Sequence, residues 1–180
     1  MKRLVVSDIH GSWYYARQLK KIKEEEKPDT ITLLGDLYYH GPRNPLPKEY
    51  DPMKVAQLLN EWKDIILCVR GNCDALVDEM ISQFKMEESI SLEINGKTFL
   101  FTHGHKNNIE HIPKGIDVIV YGHFHTGFIQ EKEGILCVNA GSLSLPKENT
   151  KNSYVIITEQ DILLKDIEGN VIQNKKWIVS

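Results

Sequence analysis

At 180 residues, with 41% hydrophobic and 26% charged residues, the chain is long enough for one domain with a sizeable core and short for two, so residues 1–180 are expected to form a single domain. A formal net charge of -3 offers no basic field for gripping long nucleic acid, and no segment approaches the roughly 18 apolar residues of a membrane span. Three cysteines, Cys68, Cys73 and Cys137, are odd in number and lack C-x-x-C spacing, which argues against a disulfide framework and a zinc ribbon and points to a reducing cytoplasm.

In chain order the first half reads βαβαβ. "RLVVS" is a strand, and Ser12 is an N-cap for a helix with Ala16, Leu19 and Ile22 on one face, stopped at Lys27-Pro28. "TITLL" follows as the second strand, then a stiff, proline-rich loop from Tyr38 to Pro52 of the kind that often carries function. Asp51-Pro52 supplies a cap and a first-turn proline to a helix with Val55, Leu58, Leu59 and Trp62 at i, i+3, i+4, i+7. "IILCV" is the third strand, and strands separated by helices imply parallel pairing. After a short helix around Ala75 to Met80, the chain is mostly strand: "SISLEI", a tight Asn95-Gly96 turn, "KTFLFT", "IDVIVY", "TGFIQE", "ILCVN", "SYVIIT", "DILLKDI" and "VIQNKKWIV". Apolar runs this numerous and this continuous call for two stacked sheets with helices outside.

Polar residues follow the apolar runs in a consistent way. They are Asp8 and His10 in "SDIHG", Asp36 in "GDL", Asn72 in "GNCD", His103 and His105 in "THGH", and His123 and His125 in "YGHFH". Strand C-termini in α/β sheets collect the ligand site, so these groups are expected to converge. The i, i+2 spacing of Asp8/His10 and His123/His125 predicts same-side projection on extended backbone. Mixed oxygen and nitrogen donors without thiolates suit a divalent ion such as manganese, iron, nickel or zinc, and seven donors exceed one four-coordinate site. Two ions sharing Asp36 use them all.

The ordered set D-x-H, G-D, G-N-x-D, H-G-H and G-H-x-H resembles the calcineurin-like binuclear metallophosphoesterases, specifically the small YfcE-type phosphodiesterase branch and, more distantly, the retromer subunit Vps29. The likeness runs from Asp8 to His125 and on through "NAGSLSLPK" to the C-terminal strands. It implies a four-layer αββα sandwich of two mixed β-sheets flanked by helices. It also implies that Asp8, His10, Asp36 and His125 hold one ion and that Asp36, Asn72, His103 and His123 hold the other, manganese being the first choice. The expected activity is hydrolysis of a small phosphodiester by in-line attack of a metal-bridging hydroxide.

Many members of the superfamily carry histidine where Cys73 stands, acting there on the leaving group. The residue allows four readings: a nucleophile, a metal ligand, half of a redox pair, or a stand-in for that histidine. Every good base nearby is committed to metal and the donor set is already complete, so the stand-in reading is preferred. A thiol cannot act as a cation there, which predicts a handicap on monoesters. His105 is the candidate leaving-group acid or a phosphate contact, the alternative being a hydrogen bond that orients a ligand. Arg43 and His40, in the long loop, are candidates for substrate phosphate contacts, or for loop packing. Asp74 is expected to orient its loop, Asn139 and Ser142 to position backbone, and His111 to lie on the surface. Exposed tyrosines in the long loop and the strand-rich C-terminus suggest a homo-oligomer. The competing reading is a non-catalytic scaffold for protein interaction, which has no reason to retain all seven donors together.

Overall fold

The computed structural model describes residues 1–177; the last positions of the final predicted strand lie outside the described residues. Two sheets stack face to face. The first contains β1 (Arg3–Val6), β2 (Thr30–Leu33), β3 (Ile66–Val69), β4 (Met86–Glu87), β10 (Ser153–Ile157), β11 (Asp161–Asp166) and β12 (Val171–Lys176), in the order β12-β11-β10-β1-β2-β3-β4. The second contains β5 (Ile90–Ile94), β6 (Lys97–Phe101), β7 (Val118–Tyr121), β8 (Gly127–Lys132) and β9 (Ile135–Ala140), in the order β5-β6-β7-β9-β8. Strands β1 to β4 are parallel, as are β6 to β7 and β7 to β9, while β10 joins β1 antiparallel, so both sheets are mixed.

The period-2 alternation of side chains explains why the strands read as unbroken apolar runs. Leu4 and Val6 of β1 face the helices, while Val5 faces the second sheet. In β6 and β7, Phe99, Phe101, Val118 and Val120 point between the sheets, and Leu100, Ile119 and Tyr121 point outward. Both faces of these strands are dry. The helices α1 (Trp13–Glu26) and α2 (Pro52–Asn60) cover the outer face of the first sheet through Ala16, Leu19, Ile22, Val55, Leu58 and Leu59. Both start as the sequence predicts: the Ser12 hydroxyl accepts from the Tyr15 amide, and the Asp51 carboxylate from the Lys54 amide at 3.1 Å. The short helix α3 (Leu76–Ile81) follows β3.

The sandwich is as expected, but its fourth layer differs in detail. An irregular strap between β6 and β7 covers the outer face of the second sheet, using Ile109, Ile112 and Ile116. Their spacing is that of one helix face, yet Pro113 removes a donor inside that span and Gly115, at φ 79°, turns the chain left-handed. The two-residue strand β4 is too short to show any period.

Candidate metal centre

Strands β1, β2, β3, β6 and β7 each end immediately before a group of polar side chains, and the sandwich brings these ends together. The backbone there is unusual. Asp8, His10, Asp36, His123 and His125, five of the seven expected donors, have φ between 50° and 65°. Extended backbone therefore does not align the i, i+2 pairs as the spacing suggested; tight left-handed turns do. Such conformations cost about 1 kcal/mol or more each and persist where surrounding contacts over-determine them. Here the amide of Asp8 donates to the Gly35 carbonyl at 3.1 Å and that of His10 to the Asp36 carbonyl at 2.9 Å, lacing the β1 and β2 loops together. Close approach also demands glycine at position 122, where a Cβ would lie 1.9 Å from the Ser7 hydroxyl and 2.5 Å from Oδ2 of Asp8.

Three of the four histidines are oriented by the same device. Nδ1 of His10 donates to the Tyr39 carbonyl at 2.7 Å, that of His103 to the Leu34 carbonyl at 2.7 Å, and that of His125 to the Leu145 carbonyl at 2.6 Å. Each Nε2 is thereby turned inward, where it offers a lone pair whenever the ring is neutral. The His10 and His125 Nε2 atoms are 3.2 Å apart, and they lie 3.5 and 3.2 Å from Oδ1 of Asp8. That oxygen is buried without a hydrogen-bond partner, whereas Oδ2 accepts from the Ser7 hydroxyl and the His123 amide. On the other side, Nε2 of His103 faces Oδ1 of Asn72 at 2.9 Å, Nδ1 of His123 at 3.2 Å and Oδ2 of Asp36 at 3.4 Å. The same Asp36 oxygen lies 3.7 Å from Nε2 of His10, while Oδ1 accepts from the Cys73 amide at 2.8 Å.

Acceptors facing acceptors at such distances repel unless a proton or a cation sits among them. The donor chemistry fits a divalent cation: Asp8, His10 and His125 form one group, Asp8, Asp36 and His103 another, and His10, Asp36 and Cys73 a third. Protonation behaviour shows the same field. Burial opposes charge on His103, but Asp36 and Asp8 outweigh it and raise its pKa to about 9; His10 is also raised, by Asp8 against its burial. His123 drops to about 4 through burial and the neighbouring His103. Asp8 and Asp36 stay ionised despite burial because histidines bond them.

Supporting residues hold this arrangement in place. The Asp74 carboxylate accepts from the amides of Asp36 and Gly71, each at 2.7 Å, and of Leu37 at 2.8 Å. It orients the loop as expected, although burial and the Asp36 charge raise its pKa to about 6. Asn139 bonds the Gly122 carbonyl at 3.0 Å, and the Ser142 hydroxyl bonds the Asp8 carbonyl at 2.7 Å. His111 is exposed.

A cleft of about 670 Å³ opens over the donors and is lined by Asp36, Asn72, Cys73, His123, His125 and Arg43, among others. The Cys73 thiol lies within 4.8 Å of donor atoms of His10 and Asp36. Burial and the Asp36 charge push it up to about 12, so it is no activated nucleophile. His105 is exposed, its ring 5.5 Å from that of His103, and does not line the cleft. His40 also lies outside the lining, its ring packed edge-on against Tyr39 and Tyr50 at 4.8 and 5.4 Å. Sequence reasoning missed Lys147, Tyr39, Asn44 and Phe124, which all line the cleft. Lys147 ends the "NAGSLSLPK" run, but nothing in its spacing showed that its amide bonds the His125 carbonyl at 3.0 Å.

Residues 1–161 match the model of the calcineurin-like phosphoesterase superfamily domain, and the chain belongs to that family. It is thus a metallophosphoesterase-type enzyme. Phosphodiesterase YfcE of Escherichia coli K12 is 38% identical over 166 residues, covering 91% of this chain and 90% of the relative. A solved structure of that E. coli phosphoesterase superposes with a TM-score of 0.94 over 98% of this chain and 99% of the other, at 32% identity. The probable metallophosphoesterase YsnB of Bacillus subtilis is 27% identical, covering 97% of this chain and 96% of the relative. Vacuolar Protein Sorting 29 from Cryptosporidium parvum shares the fold at a TM-score of 0.66 and 16% identity, over 97% of both chains.

Proposed function

We propose that the protein is a phosphodiesterase that hydrolyses a small phosphodiester at a centre of two divalent ions, with manganese the first choice and iron, nickel or zinc as alternatives. One observation carries the reading: histidines locked through Nδ1 aim their Nε2 atoms at two buried carboxylates, one of which faces both halves of the site. Asp8, His10, Asp36 and His125 would hold one ion, and Asp36, Asn72, His103 and His123 the other. Bound there, two ions supply Lewis acidity, acidifying water and offsetting charge on the phosphoryl oxygens.

The chain's own residues do the rest. Asp74 fixes the backbone of Asp36, so the shared carboxylate does not drift. Asn72 turns its amide oxygen to His103, and its Nδ2 lies 3.4 Å from the Cys73 sulfur. Cys73 lines the cleft as a neutral thiol on the leaving-group side and brings no cation to a dianionic monoester. Arg43, in the lining, contacts substrate phosphate, whereas the packing of His40 assigns it to shaping the loop. His105 keeps its role as the candidate leaving-group acid only for a leaving alkoxide that departs past the His103 ring, because it lies outside the cleft lining and its lowered pKa opposes protonation.

Metal-stripped protein tests this with bis-p-nitrophenyl phosphate against p-nitrophenyl phosphate, each divalent ion being added back. Diester cleavage that returns with manganese and vanishes in Asp36→Asn is expected. Silence with every metal, despite bound ions, would contradict it and favour the scaffold. A Cys73→His variant should shift the ratio toward the monoester, and an unchanged ratio would remove the stand-in role.

No helix among the described residues is long and apolar enough to cross a membrane. The three free thiols support a cytoplasmic location. We also infer a homo-oligomer; because Tyr38 of the long loop is buried and only Tyr39 there is exposed, the inference rests on the exposed Leu76, Val77 and Met80 of α3 instead, and a monomer's sedimentation coefficient at micromolar concentration would contradict it.

A further inference from the structure

Two cations, Arg43 and Lys147, line the cleft without an acidic partner among the described residues. Among the described residues, neither Arg43 nor Lys147 makes an ion pair or a side-chain hydrogen bond. Each stands on stiffened backbone, directly after Pro42 and Pro146. The Arg43 loop is pinned where Nδ2 of Asn44 bonds the His40 carbonyl at 2.8 Å, and Gly41 packs so closely that a Cβ would lie 3.1 Å from the Cys73 sulfur. Lys147 is tied to the centre itself: its amide bonds the His125 carbonyl at 3.0 Å, and the Thr150 hydroxyl bonds the Lys147 carbonyl at 2.7 Å. Neither residue is a donor of the metal set.

Charge matching bears on what these cations could hold. Two divalent ions against Asp8 and Asp36 leave a formal charge of about +2. A diester monoanion and an anionic nucleophile cancel that. Arg43 and Lys147 then add two positive charges that a simple diester leaves unmatched, in a protein whose net charge is -3. A cleft of about 670 Å³ has room for more than one phosphate group.

We propose that Arg43 and Lys147 form an anion subsite for a second, uncleaved phosphate, so that the preferred substrate is a diester carrying a flanking phosphate group. This rests on the phosphodiesterase reading and names its substrate class. The arginine fork suits two phosphate oxygens, and the lysine supplies a point charge from the His125 side. With both, a flanking phosphate gains affinity beyond the scissile group; with either removed, that gain falls.

Equilibrium dialysis of AMP and of the non-hydrolysable α,β-methylene analogue of ADP, against manganese-loaded protein, reads the subsite directly. Because the base and sugar are common, the ratio of their dissociation constants isolates the second phosphate. The wild type is expected to favour the diphosphate analogue about tenfold or more, Lys147→Gln and Arg43→Gln to bring the ratio toward one, and Lys147→Arg to restore it. Equal affinity for both ligands in the wild type overturns the proposal, as does a preference that survives both glutamine variants. Bis-p-nitrophenyl phosphate, which has no second phosphate, reports separately. If it is not cleaved while the binding preference stands, the phosphodiesterase reading fails and the subsite remains.

Discussion

Left-handed backbone occurs in two parts of this molecule for opposite reasons. At Lys27, Glu49, Asn95, Glu133, Glu148 and Asn149 it lies on exposed residues of caps and turns. At Asp8, His10, Asp36 and His125 it is buried, with His123 beside them half-buried, and every one of these side chains is an expected donor. A turn tolerates the strain because water and the chain reversal accept it. At the centre, hydrogen bonds donated by the amides of Asp8, His10 and Asp36 to Gly35, Asp36 and Asp74 hold it, and convergence of the expected donors accompanies it. The same φ value thus marks a replaceable residue in one place and an irreplaceable one in the other.

The contrast can be pressed hardest at Asp36. Asp36→Asn keeps the shape but removes the charge facing both halves of the site, and diester hydrolysis should fall at least about a hundredfold, with metal content falling alongside. Full activity in that variant would break the comparison at its centre. Next is Asp74→Ala, which strips the partners of three buried amides. A loss of about 3 kcal/mol or more in urea unfolding is expected. A loss below about 1 kcal/mol would show that the strained loop holds without Asp74.

Proton competition comes third. In the metal-free protein His103, raised to about 9, carries its proton at neutral pH. Metal binding near pH 7 must therefore release about one proton per chain, and affinity should fall about tenfold per pH unit of acidification below 9. Calorimetry in buffers of different ionisation enthalpy measures the release; none at pH 7 would contradict the field described.

A smaller effect belongs to Glu26, away from the centre. Burial raises its pKa, but bonds from Lys165, Lys2 and Tyr154 outweigh that and hold it below the ordinary value of 4.5. Its stabilisation is complete above that value and is lost as the pH falls through the lowered one. Glu26→Gln should cost about 1 kcal/mol at pH 7 in denaturant unfolding, and the difference should shrink below pH 4. The smallest effect is a gain. Glu133 and Gly134 turn β8 into β9 with φ 53° and 78°, so Glu133→Gly should add about 0.5 kcal/mol, whereas glycine at any of the five expected donor positions should weaken metal binding.

The strands, the caps at Ser12 and Asp51 and the Asn95-Gly96 turn were legible because each rests on local chemistry: alternation, a hydroxyl or carboxylate before a helix, a pair of residues that accept positive φ. The convergence of the seven expected donors was legible because all follow apolar runs. Their backbone was not, since the i, i+2 spacing carries no record of the contacts that force Asp8 and His10 left-handed. The strap over the second sheet hid for a related reason: Ile109, Ile112 and Ile116 keep helical spacing, and only Pro113 and Gly115 betray that no helix forms. Lys147 was invisible as a site residue because its place depends on one long-range bond, from its amide to His125, that no periodicity encodes.

Electron paramagnetic resonance of metal-stripped protein titrated with manganese(II) tests the shared carboxylate most directly. Binding should saturate at about two ions per chain with the spectrum of an exchange-coupled pair, and Asp36→Asn should give only isolated ions. A single uncoupled ion in the wild type, or coupling unchanged in the variant, would contradict the account.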